Sequence, residues 1–204
     1  MALLHRATLT PTKLDLLQQW LPTRPWAGTV GSLQQVGSFR FDDPDGEVGM
    51  ETLLVTPGDG VVLQVPLTYR AEALSGAALV GTMEHSVLGH RWVYDACTDP
   101  AWVAVAVATA CGGGTGAEEV VDTGEGRVPR TPTATVRGTG SGSAPAAALV
   151  GVREHAPDTV VVTDLGELRL HRVLAGASVE APVRLLGAWD DGPGEVELAV
   201  WSAR

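Results

Sequence analysis

Lysine is almost absent from this 204-residue chain: Lys13 is the one lysine among 14 basic residues. Acidic residues number 24, which gives a net charge of −10. That balance argues against a reader of the nucleic-acid phosphate backbone, which needs a basic face, and against an anionic membrane surface. Cysteine is scarce too. Cys97 and Cys111 are too few for a disulfide framework in a chain of this size and read as reduced, partly buried thiols. Long apolar runs are missing: the longest, Ala101–Cys111, is about half of what a membrane-spanning helix requires. The first nine residues, MALLHRATL, lack the apolar core of a secretion signal. These absences predict a cytoplasmic protein. The apolar content, 45%, is enough to bury a core.

What is present reads first as a helix and then as a β-meander. Thr10-Pro11-Thr12 offers a cap and a proline for a first turn, and Asp15 stands three residues after Thr12 as in a capping box. Leu14, Leu17 and Leu21 recur at helical spacing, and Pro22 ends the pattern. Ser38–Asp42, Val48–Thr56 and Val61–Tyr69 alternate like strands. They are joined by Asp43-Pro44-Asp45-Gly46 and Pro57-Gly58-Asp59-Gly60, both with turn chemistry. Ala78–His85 and Val87–Asp95 read as two more strands of an antiparallel sheet. Asp99-Pro100 signals a helix start, and the alanines up to Cys111 favour a helix there over a strand. Gly112-Gly113-Gly114 stops it.

Residues 123–147 are rich in Gly, Thr, Ser, Pro and Ala and read as a flexible segment, with a weak edge strand over 133–139. From Ala148 the pattern is strand-like again: Leu149–Arg153, Thr159–Thr163, Glu167–Leu174, Val183–Trp189 and Val196–Trp201. A block of this size, 148–204, is small for independent stability and is expected to pack on the first. The expected organisation is therefore 1–122, a flexible 123–147, and a small β block over 148–204. The fold class is α+β, dominated by antiparallel sheet with one or two packed helices.

Several stretches of the first block resemble the maltokinase N-terminal cap-like family of actinobacteria. They are ALLHRATLTPTKLDLLQQWLP (2–22), FRFDDPDGEVGMETLLV (39–55), LQVPLTYRAEAL (63–74) and GTMEHSVLGHRWVYDACTDP (81–100). The resemblance implies a cystatin-like fold, a curved antiparallel sheet with a helix, placed ahead of a kinase-like core. REHAPDTVVV (153–162) and GELRLHRVLAG (166–176) are similar to parts of a kinase-like N-lobe. Arg169 stands where such a lobe carries its nucleotide-binding lysine, and a planar guanidinium is a poor replacement in a phosphate clamp. His155-Ala156-Pro157 replaces a more polar loop. The helical lobe that would hold Mg²⁺ and orient the acceptor hydroxyl does not follow within these residues. No G-x-x-x-x-G-K-[ST] pattern occurs either.

Candidate chemistry concentrates between Glu84 and Asp95. A continuous strand from Val87 puts His90, Trp92 and Tyr94 on one face, with Arg91 and Asp95 on the other. One reading is a stacking platform for a sugar ring, with Glu84, Arg91 and Asp95 supplying hydrogen bonds. The other is structural: Trp92 and Tyr94 in the core, and Arg91 paired with Asp95 or Glu51. Metal binding by His85 and His90 with Glu84 or Asp95 lacks a recognised spacing, so no metal is expected. Ser86, His85 and Asp95 do not form a hydrolase triad, because neighbours on a strand diverge and no G-x-S-x-G elbow exists. Neither cysteine has an activating context. Gly112–Gly116 shows no G-x-G-x-x-G, so no dinucleotide site is expected there. Asp42, Asp43, Asp45 and Glu47 fit a solvated hairpin better than a calcium loop.

The expectation is a protein without catalytic residues and without a cofactor. It would bind a partner or a small carbohydrate, in a setting of glycogen, maltose or trehalose metabolism that the resemblance implies. The alternative is an accessory subunit of a sugar kinase completed by a separate kinase-like chain. Homodimerisation through a sheet edge is a third expectation.

Overall fold

The computed structural model describes residues 2–58, 60–124, 126–143, 146–174 and 181–204. Strands β1 (Ala2–His5) and β2 (Leu9–Thr10) precede helix α1 (Lys13–Trp20). The start of α1 follows from local chemistry. The Thr12 hydroxyl accepts from the Asp15 N–H at 3.2 Å, and the Asp15 carboxylate accepts from the Thr12 N–H at 3.0 Å. Leu16, Leu17 and Trp20 form its buried stripe, and the chain leaves through a 3-10 turn containing Pro22.

Five strands follow: β3 (Gln34–Phe41), β4 (Gly49–Thr56), β5 (Val62–Arg70), β6 (Leu79–His85) and β7 (Gly89–Asp95). With β2 they form a fully antiparallel sheet in the order β2-β6-β7-β5-β4-β3. The β3–β4 turn uses Asp43, whose carboxylate accepts from the Glu47 and Val48 N–H groups, while Gly46 takes φ +72°. Asp59, in the turn expected between β4 and β5, lies outside the described residues. The strand expected from Val87 begins only at Gly89. Val87 and Leu88 sit in the turn, and their N–H groups donate to His85 Nδ1.

Helix α2 (Pro100–Gly112) is the second packed helix, and the alternative of a strand over this stretch is overturned. Asp99 caps it by accepting from the Ala101 N–H, and Gly113 ends it in the left-handed region. Strands β8 (Glu119–Asp122) and β9 (Arg127–Arg130) form a small sheet with β1, which runs parallel to β8. Strand β10 (Ala134–Gly138) opens a second large sheet with β11 (Leu149–His155), β12 (Asp158–Thr163) and β13 (Gly166–His171). After the two-residue β14 (Val173–Leu174) come β15 (Arg184–Trp189) and β16 (Val196–Ala203). This sheet is antiparallel throughout, in the order β10-β15-β16-β13-β12-β11.

The strand expected over Glu167–Leu174 is broken at Arg172. Its last two residues leave the second sheet and pair with Leu63 and Val62 of β5 in the first. Ala175 and Gly176, the end of the stretch with kinase-like resemblance, lie outside the described residues.

The first sheet is covered on both faces, which explains why β4 is buried almost without interruption. Leu53 and Val55 face α1, in a cluster with Leu17, Leu21 and Trp26. Met50 and Leu54 face α2 and the second sheet, in a cluster with Trp102, Val161, Leu168 and Trp201. Alanine and glycine keep that second interface thin. Ala106 and Ala110 of α2 are fully buried, and a Cβ at Gly138 would run into the backbone of Thr109. The molecule is thus α+β in content, with two short helices and curled antiparallel sheets.

Candidate functional site

A cleft of about 500 Å³ opens between β1 and the α1-bearing face of the first sheet. Its size suits a small molecule. Behind the wall formed by Lys13, Arg40 and Tyr69, Glu51 is buried near the start of β4, and these three groups converge on it. Lys13, at the start of α1, brings its Nζ to 2.5 Å from Oε2. The Tyr69 hydroxyl donates to the same oxygen at 3.0 Å. Arg40, directly opposite Glu51 in the β3–β4 register, lies 3.2 Å from Oε1. Gly49 faces Tyr69 across the β4–β5 pair, and a Cβ there would meet the ring at 3.4 Å.

The electrostatics follow from this placement. Burial resists the Glu51 charge, but Arg40 and Lys13, with the hydrogen bonds from Lys13 and Tyr69, lower its pKa to about 2. Burial and the Glu51 charge push the Tyr69 phenol well above its usual range. Glu119 of β8, close enough to feel the same cations, goes the other way: burial raises it, against the pull of Arg130 and Arg40. Its Oε2 and the Arg40 Nε are buried without a hydrogen-bond partner.

The other end of the cleft is lined by His5, His85 and Arg91. His85 and Arg91 share a face, since Met83 is the cross-strand partner of Arg91 and His85 lies two residues further along β6. The His5 and His85 rings meet edge-on at 6.1 Å. Burial, with His5 and Arg91 nearby, lowers the His85 pKa.

The residues singled out in the sequence are divided by the fold. Glu84 and His90 face each other across β6 and β7 on the outer side, with a Glu84 Oε1 to His90 Nδ1 distance of 2.7 Å. The His90 and Trp92 rings are 5.5 Å apart and nearly perpendicular. Tyr94 is buried, and its hydroxyl accepts from the Leu74 N–H. Arg91 points to the cleft side and donates to the His90 carbonyl. Asp95 is buried, accepts from the Cys97 N–H and pairs with Arg172 at 2.6 Å. Neither pairing weighed for Arg91, with Asp95 or with Glu51, is formed: Asp95 is taken by Arg172, and Glu51 by Lys13 and Arg40.

Sequence reasoning missed Arg172 and the role of Glu51. The signal for Glu51 was a single acid inside the apolar run of β4, together with the chain's one lysine. For Arg172 no local signal existed.

Among the described residues no group of three or more His, Cys, Asp or Glu side chains converges in a way that could hold a metal ion. The Cys97 thiol is buried and pushed far up by desolvation. Arg169, at the place of the lysine in the resembled lobe, is half-exposed and lies 3.4 Å from Asp158. No helix is long and apolar enough to cross a membrane, among the described residues.

Residues 20–99 match the family described as the maltokinase N-terminal cap domain. The matched stretch runs from the end of α1 through β7 and supplies most of the cleft wall, Arg40, Tyr69, His85 and Arg91 included. No curated protein matches the chain.

Proposed function

With residues 20–99 forming a maltokinase-type cap segment, we propose that this chain is a cytoplasmic, non-catalytic binding or regulatory protein linked to glycogen, maltose or trehalose metabolism. The cap part (1–122) and the small β part (148–204) serve as one binding body. The observation that carries the reading is a surface cluster inside the matched segment, exposed Glu84 and His90 with the partly buried Trp92. An aromatic ring beside a carboxylate and an imidazole is suited to stack on a sugar ring and bond its hydroxyls. Arg169 supports the non-catalytic side, because it is committed to Asp158 and lacks the compact ammonium of a phosphate clamp.

A thermal-shift screen against ATP, maltose, trehalose, glucosamine and glycogen fragments tests this. A ligand at 100 times its dissociation constant stabilises the fold by about 2.7 kcal/mol, a visible shift. The expected result is a shift with a saccharide that Trp92→Ala abolishes while the variant stays folded. A shift with none of the saccharides rejects the carbohydrate reading. The alternative is an accessory subunit of a sugar kinase whose catalytic lobe is a separate chain. It gains support if adding such a chain produces sugar phosphorylation that neither protein shows alone.

A further inference from the structure

The cleft beside β1 is chemically unlike the outer Glu84–His90–Trp92 cluster, and its two ends differ. Three acidic residues, Asp42, Asp43 and Glu47, line one end, and the Asp43 carboxylate is already used by the turn N–H groups. The other end carries Lys13, Arg91, His5 and His85. Lys13 is committed to Glu51. Arg91 is not: it donates to a backbone carbonyl, and among the described residues no carboxylate pairs with it. His85 is set as a donor by its own turn. Its Nδ1 accepts from the N–H groups of Val87 and Leu88 at 3.2 and 3.0 Å, which leaves the ring proton of the neutral form on Nε2. Burial first, and then the nearby His5 and Arg91, lower the His85 pKa. Between these donors the wall is apolar: Leu9, Met83 and Leu88.

We propose that the Arg91–His85 end of this cleft binds the anionic head of a small organic molecule, a phosphate ester or a carboxylate, whose body lies against Leu9, Met83 and Leu88. Arg91 supplies the guanidinium fork, which matches either head group. His85 supplies a second donor and gains a proton more readily once an anion sits beside it. This site is separate from the outer sugar platform, and each stands without the other.

The test is NMR of the histidine rings in the full chain, titrated with inorganic phosphate, glucose 6-phosphate, glucuronate and uncharged glucose. The anions are expected to move the His85 ring signals saturably and to raise its titration midpoint, whereas glucose leaves them in place. The tighter of glucose 6-phosphate and glucuronate identifies the head group. Arg91→Gln is expected to weaken binding about tenfold, the order of one charge-assisted hydrogen bond. Arg137→Gln, which removes an exposed pair with Glu195, changes nothing. The proposal is overturned if no anion moves His85 in a folded sample, if glucose moves it as strongly, or if Arg91→Gln binds as well as the parent. Glucose binding that perturbs only Trp92 and His90 rejects this site and leaves the sugar platform standing.

Discussion

Glu51 and Asp95 are both buried carboxylates of the first sheet, and the fold neutralises them differently. Glu51 gathers two cations and a phenol, one of which, Lys13, is 23% exposed at the cleft. Asp95, among the described residues, pairs with a single cation, Arg172, which has no exposed surface at all. Arg172 also donates to Thr159, stacks over Trp26 at 4.7 Å and offers its backbone carbonyl to the Gln64 N–H. It sits where β5 exchanges one neighbour for another: β7 pairs with residues 67–70, and β14 with residues 62–63. The Gln64 side chain closes the same seam by donating to the carbonyls of His171 and Leu198. The Asp95 pair therefore ties the two large sheets together, whereas the Glu51 cluster shapes a wall that a ligand can reach. A buried charge becomes useful for binding when one of its partners still touches solvent.

Breaking the sealed pair is expected to have the largest effect. Arg172→Met leaves Asp95 uncompensated and costs about 3–5 kcal/mol in urea unfolding. Adding Asp95→Asn recovers part of that loss, because the orphaned charge goes too. Strict additivity of the two changes would mean that the pair does not act as a unit.

Glu51→Gln comes next, at about 3 kcal/mol near neutral pH, from the fall of its pKa from 4.5 to about 2. The sign is that of a depressed carboxylate. Its contribution is complete above the unfolded value and is lost as pH falls through the folded one. Parent and variant should therefore differ by a constant amount above about pH 4.5 and converge toward pH 2. Glu119, whose pKa is raised, acts in the opposite sense: its ionisation costs stability as pH rises, and Glu119→Gln stabilises slightly at neutral pH. A destabilised Glu119→Gln protein would show that the Arg130 contact outweighs burial.

Thr12→Ala, which opens the capping box at the start of α1, costs about 1 kcal/mol. Arg91→Gln is the smallest, within about 0.5 kcal/mol, because the side chain is partly exposed and, among the described residues, is held by a backbone carbonyl and no carboxylate. A larger loss from Arg91→Gln would place it with the structural charges rather than with the ligand-facing ones.

The parts of this fold that could be read from the sequence are those decided by neighbours a few residues apart. The Thr12/Asp15 box, the Asp43 turn, and the Asp99-Pro100 start and Gly113 stop of α2 all follow from short-range hydrogen bonding or backbone freedom. Partners far apart in the chain were hidden. Lys13 and Glu51 are 38 positions apart, and Asp95 and Arg172 are 77. The alternation of residues 90–95 gave the two faces of β7 correctly but could not say what covers each. The first sheet is capped on both sides, so Tyr94 and Asp95 are buried while Trp92 and His90 reach outward. In sequence β14 looks like the tail of β13, because a strand that changes sheets keeps its apolar pattern.

On the proposed function, this chain acts by contact and does not move phosphate. The most direct measurement is ADP release by the purified chain incubated with ATP, Mg²⁺ and maltose. The expected rate is no different from the protein-free blank. Steady, protein-dependent ADP release with matching formation of a phosphorylated sugar would contradict it.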